Sequence, residues 1–152
     1  MAGRADVLGS NLGDRAFHLQ FGIERLGTLL FGLRISRFRE TEPWGGDRQP
    51  LYLNAAAIGA TMLDPFELLD AMRTIECDRG RHRPFPNAPR ILDLDLILYG
   101  VEIIETDRLQ VPHPRLRQRA CVLEPLADLA PHAIDPVSGK SMSQLRAELT
   151  AN

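Results

Sequence analysis

Arg90-Ile91-Leu92-Asp93-Leu94-Asp95-Leu96-Ile97-Leu98-Tyr99, closed by Gly100, is the stretch around which the rest of the chain is organised. Side chains on a strand alternate between two faces, so this segment sorts into two rows. Leu92, Leu94, Leu96 and Leu98 form one row, an apolar face that must pack on a core. Ile91, Asp93, Asp95, Ile97 and Tyr99 form the other, with two carboxylates roughly 7 Å apart at the backbone. Aspartate is disfavoured in strands and like charges on one face repel, so something should offset the cost. A divalent cation would do so, because Mg²⁺ takes carboxylate oxygens together with water and substrate phosphates. The plain alternative is a solvated face that carries two Asp. Ile91, Ile97 and Tyr99 are not solvent-face choices and favour the cation.

A chain of 152 residues with 44% apolar composition suits one domain, residues 1–152, with a real core. The net charge of −2 argues for neither a nucleic-acid nor a membrane partner. Lys140 is the only lysine; the arginine bias fits phosphate recognition, but a GC-rich genome produces the same bias and is the preferred cause over the chain as a whole. Cys77 and Cys121 form no C-x-x-C and suggest neither a disulfide framework nor a zinc site. The first residues lack a signal-peptide pattern and no run reaches transmembrane length, so the expected location is cytoplasmic.

Ahead of the Asp pair, Gly80 to Arg90 carries three prolines and frames the strand with arginines, Arg81, Arg83 and Arg90. Arginine beside Mg²⁺ is recurrent equipment of phosphoryl transfer; a charge run is otherwise a solvated loop. Asp64-Pro65-Phe66-Glu67 is a helix start with an N-cap, Pro at the first position and Glu at the third. Leu68, Leu69, Met72 and Ile75 supply its buried face, and Arg73 and Glu76 lie near its end. Before it, Tyr52 to Met62 reads as a small-residue strand. Asn54 there either pairs with a heterocycle edge or is satisfied by backbone, and the residues alone leave both open. Thr41 to Pro50 is a Pro- and Gly-rich loop with the single Trp44, which plugs a core edge or lines a pocket.

At the start, Val7-Leu8 ends a short strand and Gly9 to Asp14 is a turn. Ala16, Leu19, Ile23, Leu26 and Leu30 form one face of a helix, and Leu33 to Arg39 reads as a strand. After the Asp strand, Tyr99 to Glu102 is a hairpin turn into a strand over Val101–Ile104. Arg108 to Pro114 is a second loop with Arg and His. A helix containing Arg117, Arg119, Val122 and Leu123 ends at Pro131, and Ser141 to Gln144 caps a last helix. The order strand, helix, strand, strand, helix, strand predicts an α+β fold with a ferredoxin-like βαββαβ core, an added hairpin and C-terminal helices.

Taken together, these segments resemble the 6-hydroxymethyl-7,8-dihydropterin pyrophosphokinases of folate biosynthesis. The resemblance rests on Leu8 to Asp14, Gln49 to Ala56, Ile75-Glu76 with Gly80 to Arg83, Pro89 to Asp95 and Val111 to Pro114, in the family's order and spacing. It implies transfer of the pyrophosphoryl group of ATP, the co-substrate, to the pterin hydroxymethyl oxygen with release of AMP. It implies two Mg²⁺ ions at Asp93 and Asp95, with Arg81 and Arg90 assisting transfer. The implied pterin pocket is Thr41, Pro43, Trp44, Tyr52, Asn54 and Cys121; the implied ATP contacts are Arg73, Glu76, Arg83, Ile97, Arg108, Gln110, His113 and Arg119. The expected partners are those two small molecules, with the chain a monomer. Four positions depart from the family pattern: Cys121 replaces an aromatic residue, Asn87 a Trp and Gln110 a Thr, and Asp6 interrupts a normally apolar first strand. A ferredoxin-like binding module without turnover is the alternative from another class; Asp at both 93 and 95 favours the enzyme.

Overall fold

The computed structural model describes residues 2–10, 15–41, 52–78 and 92–150. Its elements in chain order are β1 (Ala2–Ser10), α1 (Arg15–Leu26), β2 (Phe31–Ile35), β3 (Arg39–Thr41), β4 (Tyr52–Thr61), α2 (Pro65–Asp78), β5 (Asp93–Tyr99), β6 (Ile104–Glu105), β7 (Gln110–Val111), α3 (Ala120–Leu129) and α4 (Met142–Thr150). The main sheet runs β2-β4-β1-β5 with β3 also on β4, every pairing antiparallel, and β6-β7 form a separate two-stranded sheet. This is an α+β chain with the sheet between two helical layers. Helices α1 and α2 cover one face, and α3, backed by α4, covers the other.

The first layer buries Leu19, Leu26, Leu68, Met72 and Ile75 against Leu92, Leu94 and Leu96 of the β5 segment. Helix α1 approaches closely at Gly22, where an added Cβ would stand 3.3 Å from a Leu92 methyl. Ala16, assigned above to the buried face, is exposed, and Leu30 is buried beyond the helix end, in the turn closed by its N–H on Leu26 O. Helix α2 begins as its sequence requires: the Glu67 N–H donates to Asp64 Oδ1 and the Asp64 N–H to Glu67 Oε1, at 2.8 and 2.9 Å. Ser141 and Gln144 cap α4 in the same reciprocal way.

Other expectations need correction. Arg117 and Arg119 precede α3 and are not in it, and Gly9 and Ser10 belong to β1 and not to the turn. The predicted strand over 33–39 is split into β2 and β3, because Ser36 Oγ takes the Ala56 N–H at 2.8 Å and an extra residue enters between the two registers. The strict alternation along 92–99 fails at Ile97. Asp6 pairs with Leu96 but Ala5 with Leu98, so Ile97 is the surplus residue of a β-bulge. Beyond it the faces swap: Leu98 joins Ile97 in the core under α3, and Tyr99 returns to the α1/α2 side, its hydroxyl donating to Leu63 O. The turn after Tyr99 does form, with Gly100 at φ 58° and the Glu102 N–H on Tyr99 O. No strand covers Val101 to Ile103, however; β6 starts at Ile104 and pairs with β7, which lies in the stretch expected to be loop.

Candidate active site

Strand β5 is an edge of the main sheet, and both candidate metal ligands lie on it. Asp93 and Asp95 are half-buried while Leu92, Leu94 and Leu96 are buried on the opposite face. Register sets a row across three strands, Asn54–Gly9–Asp93, and beside it the row Ala56–Val7–Asp95. Neighbouring strands lie ~4.8 Å apart, which puts the Asn54 and Asp93 backbones roughly 10 Å apart. The residue between them is glycine, so β1 puts no side chain of its own into that gap. Helix α3 packs over Ala56 and Ile97 further along this face, with Cys121 partly buried at the margin of that cluster. Thr41 and Tyr52 are register partners at the end of the β3–β4 ladder, two residues before Asn54.

An edge strand leaves backbone groups unpaired, and here side chains and a neighbouring loop take them. Glu76 Oε2 accepts the Leu94 N–H at 2.7 Å. Arg73 Nη1 donates to Leu94 O at 2.9 Å and to Glu76 Oε1 at 2.7 Å. The His113 N–H donates to Ile97 O at 2.9 Å, just after the cis Val111–Pro112 bond. A pocket of about 220 Å³ opens at this edge, lined by Arg73, Asp95, Arg108, Gln110 and His113 with Leu69, Asp107 and Pro114 among its other walls.

The pocket is electrostatically mixed. Arg108 reaches Asp70 of α2 in an ion pair, and its guanidinium lies 5.6 Å from the Phe66 ring centre. Burial pushes the His113 imidazole below its ordinary pKa of 6.5; Arg119 and Arg115 push the same way, and Asp95 opposes them. His113 Nδ1 accepts the Arg115 N–H at 3.2 Å, which assigns the proton of the neutral ring to Nε2. The half-buried Asp95 carboxylate, sharing the pocket with two guanidinium groups and a hydrogen-bond donor, suits a polyanion carried with a hard cation. Among the described residues no cluster of three or more His, Cys, Asp or Glu is poised for a metal.

Five of the residues assigned from sequence, Arg73, Asp95, Arg108, Gln110 and His113, therefore meet in one pocket. Arg119 caps α3, its carbonyl accepting from Val122 and Leu123. Ile97 is buried beneath α3 and reaches the site edge through its carbonyl. The Glu76 side chain is fully buried, both oxygens engaged behind the strand. Pro43, Trp44, Arg81, Arg83 and Arg90 lie outside the described residues, as do Asn87, Gly80 and the turn residues Asn11 to Asp14. Leu69 and Phe66 are read from sequence as helix residues only, and neither they nor Asp70 and Asp107 are assigned to the site. Asp70 and Phe66 sit on a helix about forty residues before Arg108, and no local pattern marks the pairing.

A family model, 7,8-dihydro-6-hydroxymethylpterin-pyrophosphokinase, matches residues 7–131. The chain belongs to this family. A pyrophosphokinase of Aquifex aeolicus, named for 2-amino-4-hydroxy-6-hydroxymethyldihydropteridine, is 37% identical over 143 residues, covering 94% of this chain and 89% of that protein. The Bacillus subtilis protein of the same name is 42% identical over 125 residues, covering 81% and 75%. Among solved structures, the Plasmodium falciparum HPPK-DHPS wild type with pteroate superposes with a TM-score of 0.77 at 14% identity, over 99% of this chain. This chain spans 42% of that longer one, and the likeness is one of fold.

Proposed function

We propose that this pyrophosphokinase-family chain transfers the pyrophosphoryl group of ATP to the hydroxymethyl oxygen of 6-hydroxymethyl-7,8-dihydropterin and releases AMP. The observation that carries the reading is the pocket at the β5 edge, where Asp95 shares one cavity with Arg73, Arg108 and His113. The strand order β2-β4-β1-β5 supports a ferredoxin-like core. Phosphoryl transfer asks little covalent work of a protein; it asks for alignment and for neutralised charge.

Asp93 and Asp95 would hold Mg²⁺, two ions by family resemblance, and their donor chemistry fits: half-buried carboxylates on one face, with room for water and phosphate oxygens. Bound there, the metal supplies charge neutralisation to the polyphosphate and a lowered barrier to deprotonating the attacking hydroxyl. Arg73, Arg108 and Arg119, with Arg83, bind the ATP phosphates and ribose alongside Gln110 and the Ile97 backbone. His113 offers Nε2–H to a phosphate oxygen and, with its Nδ1 already accepting, serves as donor and not as base. Arg81 and Arg90 neutralise charge that develops during transfer. On the other side of the Asp pair, Asn54 reads the pterin edge, Tyr52 covers one ring face, and Thr41, Pro43, Trp44 and Cys121 complete that pocket. The Asn54–Gly9–Asp93 row supports this placement, because the pterin would span a gap into which Gly9 sends no side chain.

Incubation with ATP, Mg²⁺ and hydroxymethyldihydropterin should yield AMP and the pterin pyrophosphate in equal amounts. Formation of ADP would refute pyrophosphoryl transfer. Tight binding of both ligands without turnover would assign the chain as a binding module.

A further inference from the structure

We infer that Glu76 and Arg73 form a clip that positions the two aspartates through the peptide between them; the inference rests on the reaction proposed above. Leu94 is the residue between Asp93 and Asp95, and it faces Leu8 across the β1–β5 ladder. Its N–H and C=O are nonetheless both taken from the other side, by Glu76 Oε2 and Arg73 Nη1. They therefore point out from the free edge of the sheet, and Leu8–Leu94 is a non-hydrogen-bonded pair. In place of a sixth strand, one ion pair on α2 binds both polar groups of this single residue, and Arg73 also joins Glu76 at 2.7 Å.

The consequence falls on Asp93 and Asp95. Two like charges on one strand face push apart, and an edge strand yields more readily than a central one, by twisting or bulging. A bulge does occur in β5, two residues on at Ile97. The clip prevents it from migrating to Leu94, where it would turn one carboxylate to the opposite face. The Glu76 side chain is 0% exposed and meets the acidic strand at the Leu94 peptide. Glu76 is thus a positioning residue, and Arg73 has two duties, one at the peptide and one in the pocket wall.

The test uses the whole chain and the variants Glu76→Leu and Glu76→Gln. Three readouts apply: hydrogen exchange of the Leu94 amide, affinity for a non-hydrolysable ATP analogue with and without Mg²⁺, and steady-state turnover. In Glu76→Leu the Leu94 amide should exchange at least about tenfold faster while Met72 in α2 keeps its protection. The Mg²⁺-dependent gain in analogue affinity should shrink about tenfold, metal-free affinity should stay within about twofold, and kcat should fall more than KM for ATP rises. Glu76→Gln keeps an acceptor for Leu94 but turns an amide toward Arg73, so its kcat should lie between the two. If Glu76→Leu does not fold, the glutamine variant decides: kcat at least about threefold down with unchanged metal-free affinity supports the clip, and wild-type kcat overturns it. Loss of metal-free affinity with unaltered Leu94 exchange would overturn it as well, making Glu76 a direct nucleotide contact. Absence of AMP formation by wild type would refute the proposed reaction and leave the exchange result standing.

Discussion

Replacing Asp95 by Asn separates what the acidic pair does for stability from what it does for chemistry. The change preserves side-chain volume, so no cavity opens, and it removes one of two charges roughly 7 Å apart along β5. Coulomb's law at that distance gives a repulsion of about 0.6 kcal/mol at the dielectric of water and about 2.4 kcal/mol at an effective dielectric near 20. Both carboxylates are half-buried, and Arg73 and Arg108 line the same pocket as Asp95, so attraction to these cations offsets part of the relief. The net change in unfolding free energy should stay within about 1 kcal/mol of zero, in either direction. Catalysis has no such compensation. Removing one preorganised contribution to transition-state charge stabilisation typically lowers kcat by about 10²–10³, and a similar loss is expected if Asp95 holds the proposed cation. Urea unfolding followed by far-UV circular dichroism measures the first quantity, and AMP release at saturating ATP and Mg²⁺ measures the second. Turnover within about fivefold of wild type would refute a metal-binding role for Asp95. A fall in stability beyond about 3 kcal/mol would show that the carboxylate is held as half of a buried pair.

The other expectations are brief. His113 has a folded pKa below its unfolded value, so between the folded pKa and about 6.5 the unfolded chain binds more protons. Its contribution to stability should be complete above about pH 6.5 and decline as pH falls through that window; His113→Gln should abolish this part of the slope in pH-dependent urea melts, and an unchanged slope would refute the buried neutral ring. Cys121 leaves a small thiol where the resemblance implies an aromatic face for the pterin, so Cys121→Phe should tighten pterin binding by about 0.5–1.5 kcal/mol with ATP affinity unchanged. Calorimetric titration with an ATP analogue and Mg²⁺ present checks it, and weaker pterin binding by a folded variant would mean that the face is already covered. Asp64→Ala should lower stability by about 0.5–2 kcal/mol through loss of the α2 cap, with kcat unaltered; a neutral result in thermal melts would contradict the reciprocal cap.

What the residues determined by themselves was local. The caps at Asp64–Glu67 and Ser141–Gln144 depend on groups three positions apart, and a helix start brings such groups together in any surroundings. The acidic pair was legible because two Asp in an apolar strand contradict every local preference. The segments that betray the family were legible too, and the family match upholds them. Register was not legible, because it belongs to two strands at once. The bulge at Ile97 exists only relative to β1, so Leu98 and Tyr99 could not be assigned to their faces from the alternation of β5 alone. The split between β2 and β3 likewise depends on a hydroxyl of Ser36 meeting an amide of Ala56, 20 residues away. The site shows the same division. Arg73, Asp95, Arg108 and His113 were each visible as chemistry, but only tertiary structure gathers them around one edge. It alone makes Glu76 a buried acceptor for Leu94, because an edge strand's unpaired groups must find partners wherever the fold supplies them.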